Sequence, residues 1–105
     1  MLRIYPVCLA MVREVAELAI VIKLHDRDLC RQLQRSSVSV VLNLAEGSAV
    51  RDGRRRVRYG DALGSVLETQ AGIEVASALG YIDSVDDELQ GRFRHIIGVL
   101  YKVSR

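Results

Sequence analysis

The chain has 105 residues, half of them apolar, with five aromatic residues, one proline and a formal net charge of +2. This length corresponds to a single domain, residues 1–105, with a modest hydrophobic core. Charged residues interrupt every apolar stretch before it reaches about 18 residues, so the sequence predicts no membrane-spanning helix or signal peptide, and we expect a cytoplasmic protein.

The first predicted element is an amphipathic helix. The low proline content and the abundance of Leu, Val, Ala, Arg and Glu favour long helices over a turn-rich β fold. Pro6 suits a first helical turn, and apolar residues then recur with the 3,4 spacing of a helix that ends near His25. This apolar face contains Cys8, Met11, Val15, Leu18 and Ile22, widened by Val12 and Ala19.

The second element is ambiguous, because its segment SSVSVVLNL is β-branched and partly alternating, as in a strand. We predict a helix, since no partner strand occurs elsewhere and Ala45-Glu46 followed by Gly47 resembles a helix end. Asp26 or Asp28 is expected to cap it. Its predicted apolar face contains Leu29, Leu33, Val40, Val41 and Leu44.

A third helix is predicted to begin at Asp52 or Gly53 and to run to Leu79, with Gly80 ending it. Gly60 and Gly64 lie four residues apart, which indicates either a close helix crossing or a glycine pair that the helix merely tolerates. The predicted core face contains Tyr59, Leu63, Val66, Leu67, Gln70, Ile73 and Ala76.

The fourth helix is expected to be capped by Ser84, with acidic residues in its first turn. Its predicted apolar face contains Leu89, Phe93, Ile96, Ile97, Leu100 and Val103. Four helices with short connections predict an all-α, antiparallel up-and-down four-helix bundle.

Several motifs resemble the signature of the family named for the 23S rRNA intervening-sequence protein, which includes accessory proteins of diversity-generating retroelements. They are RSSVSV from Arg35 with NLAEG from Asn43, ALGS from Ala62 with Glu68, and LGYI from Leu79. The resemblance implies a non-enzymatic four-helix bundle that assembles into a ring, commonly a homopentamer. For retroelement members it also implies nucleic-acid binding and a reverse transcriptase as partner. Val41 departs from the pattern, since the family often has proline there.

The most basic segment of the chain is residues 51–58, which carry five arginines against one acid, Asp52: Arg51, Arg54, Arg55, Arg56 and Arg58. On a helix, four of these would share a face by i, i+3, i+4 and i+7 spacing. Arginine makes planar, bidentate contacts with phosphate, so this arginine segment is a candidate for binding RNA or DNA. The alternative is a protein–protein scaffold in which these arginines contact another subunit.

The remaining charge is also unevenly distributed. Residues 27–58 contain eight arginines and three acids, whereas residues 59–91 contain seven acids and no Lys or Arg. A chain with one basic and one acidic region can pair head to tail, and heterologous contacts of this kind close into rings. We therefore expect a homo-oligomer, which the family resemblance suggests is a pentamer.

Four polar residues lie on otherwise apolar predicted faces: Asn43, Glu46, Glu68 and Glu74. Buried carboxylates require cationic or hydrogen-bonding partners, and the suitable cations are Arg35 and the arginines of residues 51–58. We predict that these polar residues and Arg35 are structural and connect helices or subunits, with a ligand-binding or catalytic cluster as the alternative.

No catalytic residue, metal site or cofactor is predicted, and we expect no enzymatic activity. Di-iron bundles use Glu-x-x-His, but Ile22 precedes His25 by three residues and Arg92 precedes His95. Cys8 and Cys30 have apolar neighbours at helical spacing, which predicts buried, reduced thiols.

Overall fold

The computed structural model describes residues 1–105 and consists of four helices without strands. They are α1 (Tyr5–Ile22), α2 (Arg27–Ala49), α3 (Arg54–Ala78) and α4 (Asp87–Ser104). Each helix packs against the next, and α1 also contacts α4, which closes the bundle. This arrangement confirms the predicted all-α four-helix bundle. None of the four helices combines the length and the hydrophobicity that a membrane crossing requires.

The ambiguous segment SSVSVVLNL lies in the middle of α2, so the helical interpretation is confirmed. Its serines fit a helix because their hydroxyls find acceptors nearby. Ser36 Oγ donates to the Leu33 carbonyl at 3.4 Å, and Ser37 Oγ donates to the Gln34 carbonyl at 3.3 Å. These bonds remove the cost of turning two hydroxyls toward the interior of the bundle.

The buried residues follow the predicted apolar faces closely in α1, α2 and α4. In α1 the fully buried side chains are Cys8, Met11, Val15, Ala19 and Ile22. The prediction for α3 was partly wrong, since its buried face contains Ala62 and Thr69, whereas Leu67 is 45% exposed. Burial raises the pKa of the Cys8 thiol to about 11, and both cysteines are free and buried as expected.

Two of the predicted helix ends were correct. Asp26 caps α2 by accepting the Leu29 N–H at 2.9 Å. Gly80 has a φ of 76° after α3, and the Tyr81 N–H donates to the Ala76 carbonyl at 2.9 Å, which completes a Schellman motif.

The cap of α4 was predicted wrongly. Asp86, rather than Ser84, accepts the Leu89 N–H at 2.8 Å. Asp86 therefore lies at the N-cap position, with Asp87 and Glu88 in the first turn.

The prediction that Gly47 ends α2 was wrong, and of the two interpretations of Gly60 and Gly64 the helix crossing was wrong. Gly47 lies inside α2, which continues to Ala49. The close approaches between helices occur at Gly47, against the Tyr59 ring, and at Gly72, against Leu33. By contrast, a Cβ at Gly64 would meet nothing within 4 Å, and one at Gly60 would make only an ordinary contact at 3.9 Å. Gly60 and Gly64 therefore do not mark a helix crossing.

Candidate functional site

A groove runs along the outer side of α2 and ends beside the first turns of α3. We call it the α2 groove; it is lined by Arg31, Gln34, Arg35, Val38, Ser39, Leu42, Asn43, Glu46 and Arg58. Four of the residues selected from the sequence meet here: Arg35, Asn43, Glu46 and Arg58. The structure thus brings Glu46 together with Arg58, one of the arginines that the sequence analysis named as a cation for it.

The apolar part of the α2 groove consists of Val38 and Leu42, which are 43% and 56% exposed. They lie four residues apart and therefore on one face of α2. Arg31 and Arg35 precede them on the same side, and neither arginine has an acidic partner within the chain. The sequence analysis did not select Arg31, although the i, i+4 spacing of Arg27, Arg31 and Arg35 was a signal for a basic stripe.

Asn43 lies at the edge of the groove and forms its hydrogen bonds within α2. Its Nδ2 donates to both the carbonyl and the Oγ of Ser39, each at 3.0 Å. Ser39 Oγ lies 2.9 Å from Ser65 Oγ on α3. Deeper in the bundle, Thr69 Oγ1 donates to Ser36 Oγ at 2.7 Å. These polar contacts hold α2 and α3 in one register, because a slip of either helix would leave hydroxyls without partners.

The carboxylates differ from expectation, because Glu46, Glu68 and Glu74 are all exposed in the isolated chain. Glu46 Oε2 lies 3.3 Å from Arg58 Nε, in a pair whose side chains are about half exposed (57% and 48%). Glu68 lines a small depression together with Arg35, Ser39 and Ser65, but forms no ion pair with Arg35. Any burial of these carboxylates therefore has to come from another molecule.

Three members of the arginine segment already have partners within the chain. Arg54 Nη2 lies 3.0 Å from Asp52 Oδ2, and hydrogen bonding from Arg54 lowers the pKa of the Asp52 carboxyl. Arg55 Nε donates to the Val50 carbonyl at 2.7 Å and to the Gly47 carbonyl at 3.2 Å.

Arg55 thereby binds carbonyls at the C-terminal end of α2, where they lack helical partners. Arg58 pairs with Glu46 and, at 3.8 Å, with Asp61. Arg51 precedes α3 and so does not share the helical face that was predicted. Of the five arginines in this segment, only Arg51 and Arg56 make no ion pair or side-chain hydrogen bond.

An acidic cleft lies on the opposite side of the bundle, between α1 and the connection that leads into α4. We call it the α1–α4 cleft. Glu14, Glu17, Asp83 and Asp86 supply its acidic groups, and Leu18, Val21, Tyr81, Ile82, Val85 and Leu89 supply its apolar lining.

The charges in this cleft are only partly compensated. Glu14 Oε1 lies 2.7 Å from Arg92 Nε. Burial raises the pKa of Glu14, while the charge of Arg92 opposes that rise. Glu17 and Asp83 are exposed and have no cationic partner within the chain.

The chain is a bundle of four helices with a basic groove and an acidic cleft on its surface. It contains no cluster of side chains with metal-binding spacing. The family model described as 23S rRNA-intervening sequence protein matches residues 1–102, and the chain therefore belongs to that family. No curated protein matches the chain.

The fold is similar to a crystal structure of a protein with unknown function from the S23 ribosomal protein family of Bacteroides thetaiotaomicron VPI-5482. The TM-score is 0.81, with 16% identity over 97% of this chain and 98% of that chain. At this identity the similarity concerns the fold alone.

Proposed function

We propose that this protein is a non-enzymatic accessory protein that acts as a homo-oligomer, with the α2 groove as a contact surface for another protein chain. The observation that carries the proposal is the exposure of Val38 and Leu42 beside the uncompensated Arg31 and Arg35. An apolar centre with charged neighbours is typical of protein–protein contacts. A phosphate-binding surface would gain nothing from exposed leucine and valine or from the carboxylate of Glu46.

A ring is the proposed form of the oligomer. The basic region at 27–58 and the acidic region at 59–91 support heterologous contacts, which close into rings when the rotation permits. Five subunits is the number that the family resemblance suggests. The same resemblance, to retroelement accessory proteins, supports a reverse transcriptase as a further partner, and co-purification with a reverse transcriptase encoded beside this chain would test that partnership.

Light scattering coupled to size exclusion tests the contact surface. The wild type is expected to have a mass several times 11.7 kDa, whereas Leu42→Glu shifts toward the single-chain mass. Val75→Glu is the matched control, because Val75 is 46% exposed on α3 and lies outside the α2 groove. A wild type that remains at 11.7 kDa at micromolar concentration contradicts self-association. If the Leu42→Glu variant keeps the wild-type mass, the α2 groove is not part of the contact between subunits.

Nucleic-acid binding through the arginine segment is the second candidate function. Arg51 and Arg56 have no partner within the chain, and the Arg54 side chain is 75% exposed despite its pair with Asp52. An oligomer would repeat these guanidinium groups, and multivalent contact with one strand raises the overall affinity by about 10² or more. Arg58 contributes less, since Glu46 and Asp61 offset its charge, and the carbonyls that accept from Arg55 Nε restrict the orientation of that side chain.

Titration of duplex DNA and structured RNA at two salt concentrations tests this second function. Each phosphate contact is expected to contribute about −0.9 to the log–log salt slope on duplex DNA. Arg51→Ala/Arg56→Ala should weaken binding and reduce the slope, whereas Arg94→Ala/Lys102→Ala removes the same charge from α4 and serves as the control. Equal losses in the two double variants would indicate nonspecific attraction, and no binding at low salt would refute this function.

A further inference from the structure

We infer that the α2 groove of one copy binds the α1–α4 cleft side of a second copy, with Arg31 and Arg35 facing Glu17 and Asp83. This inference rests on the proposed homo-oligomer and specifies the two surfaces that meet in it. It commits to a second copy of this chain because the two surfaces are complementary in charge and both expose apolar side chains.

The first argument is the number and sign of uncompensated charges. In the groove, Glu46 neutralises Arg58, which leaves Arg31 and Arg35 as the free cations. In the cleft, Arg92 offsets Glu14 and the Asp86 carboxylate caps α4. The cap bond comes from a neutral backbone N–H and leaves the Asp86 charge in place, so Glu17, Asp83 and Asp86 are the acidic groups without a cationic partner. A groove with free cations and a cleft with free anions are complementary in charge, and such complementarity selects partners and accelerates their encounter.

The second argument is exposed apolar area on α1 beside the cleft. Ile20 is 71% exposed and Val21 is 43% exposed. Leu24, in the turn after α1, is 82% exposed. Large apolar side chains at such exposure, one turn apart, form a stripe that another surface can bury. Val38 and Leu42 supply the corresponding apolar side chains in the groove, so both surfaces combine free charge with unburied apolar area.

The third argument is position. Helix α2 packs most extensively on α3, whereas α1 and α4 form the least extensive neighbouring pair. The bundle order α1, α2, α3, α4 therefore places the α2–α3 side opposite the α1–α4 side. Two different surfaces on opposite sides of one chain leave both available at once, which heterologous association requires. A copy bound at the groove does not obstruct the cleft of the same chain.

Charge reversal tests the pairing. Arg35→Glu and Glu17→Arg are each expected to weaken association about ten-fold or more, because like charges then face each other. The double variant Arg35→Glu/Glu17→Arg restores an attractive pair and is expected to recover most of the wild-type mass. Arg94→Glu is the control, since Arg94 is exposed on α4 and lines neither surface. Masses are measured at one protein concentration, and far-UV circular dichroism confirms that each variant is folded.

The outcomes separate this inference from the proposed function. A monomeric wild type overturns self-association itself. An oligomeric wild type whose two single variants keep its mass overturns the assignment of both surfaces and leaves self-association intact. Single variants that dissociate without recovery in the double variant overturn the pairing of Arg35 with Glu17. Recovery in the double variant, together with weaker wild-type association at high salt, supports the inference.

Discussion

Replacing Gly47 and Gly64 with alanine is expected to change stability in opposite directions. Each glycine lies inside a helix, where glycine costs about 1 kcal/mol relative to alanine. A Cβ at Gly64 would have no heavy atom within 4 Å, so Gly64→Ala gains that propensity without a steric cost. We expect it to raise the free energy of unfolding by about 1 kcal/mol.

At Gly47 a new Cβ would lie 2.6 Å from Tyr59 Cε1 and 2.8 Å from Tyr59 Cδ1. The ring has little room to withdraw, because Tyr59 is 5% exposed and its hydroxyl lies 3.3 Å from Ser48 Oγ. Arg58 Cβ, at 3.2 Å, blocks movement of the new methyl toward α3. Overpacking of this kind costs about 1–3 kcal/mol, which exceeds the gain of about 1 kcal/mol in helix propensity. We therefore expect Gly47→Ala to be destabilising by about 1 kcal/mol.

Thermal and urea unfolding at equal protein concentration measure both changes. For a domain of this size 1 kcal/mol corresponds to about 4–8 °C in Tm, so the two variants should differ by roughly twice that. Gly98→Ala on α4 is a second open-space control, and Gly72→Ala should fall between the extremes. Its Cβ would meet Leu33 Cδ2 at 2.7 Å, at the movable end of a side chain. A Gly47→Ala variant as stable as Gly64→Ala would refute the steric argument.

Three further predictions concern single side chains. Because burial raises the pKa of Cys8 to about 11, its thiol should react with a disulfide reagent at pH 8 far more slowly in the folded protein than in denaturant. Equal reaction rates in the two conditions would contradict the buried position. Burial raises the pKa of Glu14 although the charge of Arg92 opposes the rise, so the folded state binds more protons than the unfolded state and loses stability as the pH rises from about 4.5. The Tm advantage of wild type over Glu14→Gln should therefore shrink from pH 4.5 to pH 7. A difference in Tm that stays constant over this range would refute the argument. Asp86→Ala should lower stability by about 1 kcal/mol by removing the α4 cap, whereas Ser84→Ala should leave the Tm unchanged.

The sequence predicted the helices well because their apolar spacing is a local property. In α1 the 3,4 pattern identified every fully buried residue, since one face of a helix is determined by its own sequence. In α3 the same reasoning placed Leu67 in the core and omitted Thr69. The hydroxyl of the buried Thr69 has acceptors in the Ser65 carbonyl one turn earlier and in Ser36 Oγ on α2. Apolar periodicity contains no information about Ser36, which is 33 residues away in the sequence.

The glycine errors have the same origin. The helix-end interpretation of Gly47 used the residues immediately around it, and the proposed crossing used the spacing of Gly60 and Gly64. Position 47 instead requires glycine because the Tyr59 ring of the next helix packs against it and leaves no room for a Cβ. This contact exists only in the three-dimensional arrangement of the helices. Gly80 was predicted correctly because a positive φ after a helix is a local requirement.

The composition of the candidate surface was predictable from the sequence, but the pairing of its charges was not. The high density of arginines at residues 51–58 suggested a free basic cluster. In the structure, however, Arg54 and Arg58 pair with carboxylates, and Arg55 donates to carbonyls at the end of α2. The less conspicuous Arg31 and Arg35 are spaced along α2 and have no such partner.

Binding to a second molecule depends on the charge that remains after pairing within the chain, since a guanidinium whose charge is offset by a nearby carboxylate attracts a second anion less strongly. By this criterion Arg31 and Arg35 carry free positive charge beside Val38 and Leu42, next to exposed apolar area. That combination favours a protein partner over phosphate, because burying the two apolar side chains adds free energy that a nucleic-acid backbone cannot supply. If the second proposed function holds, we expect Arg51 and Arg56, which have no partner within the chain, to make the main contribution of the arginine segment.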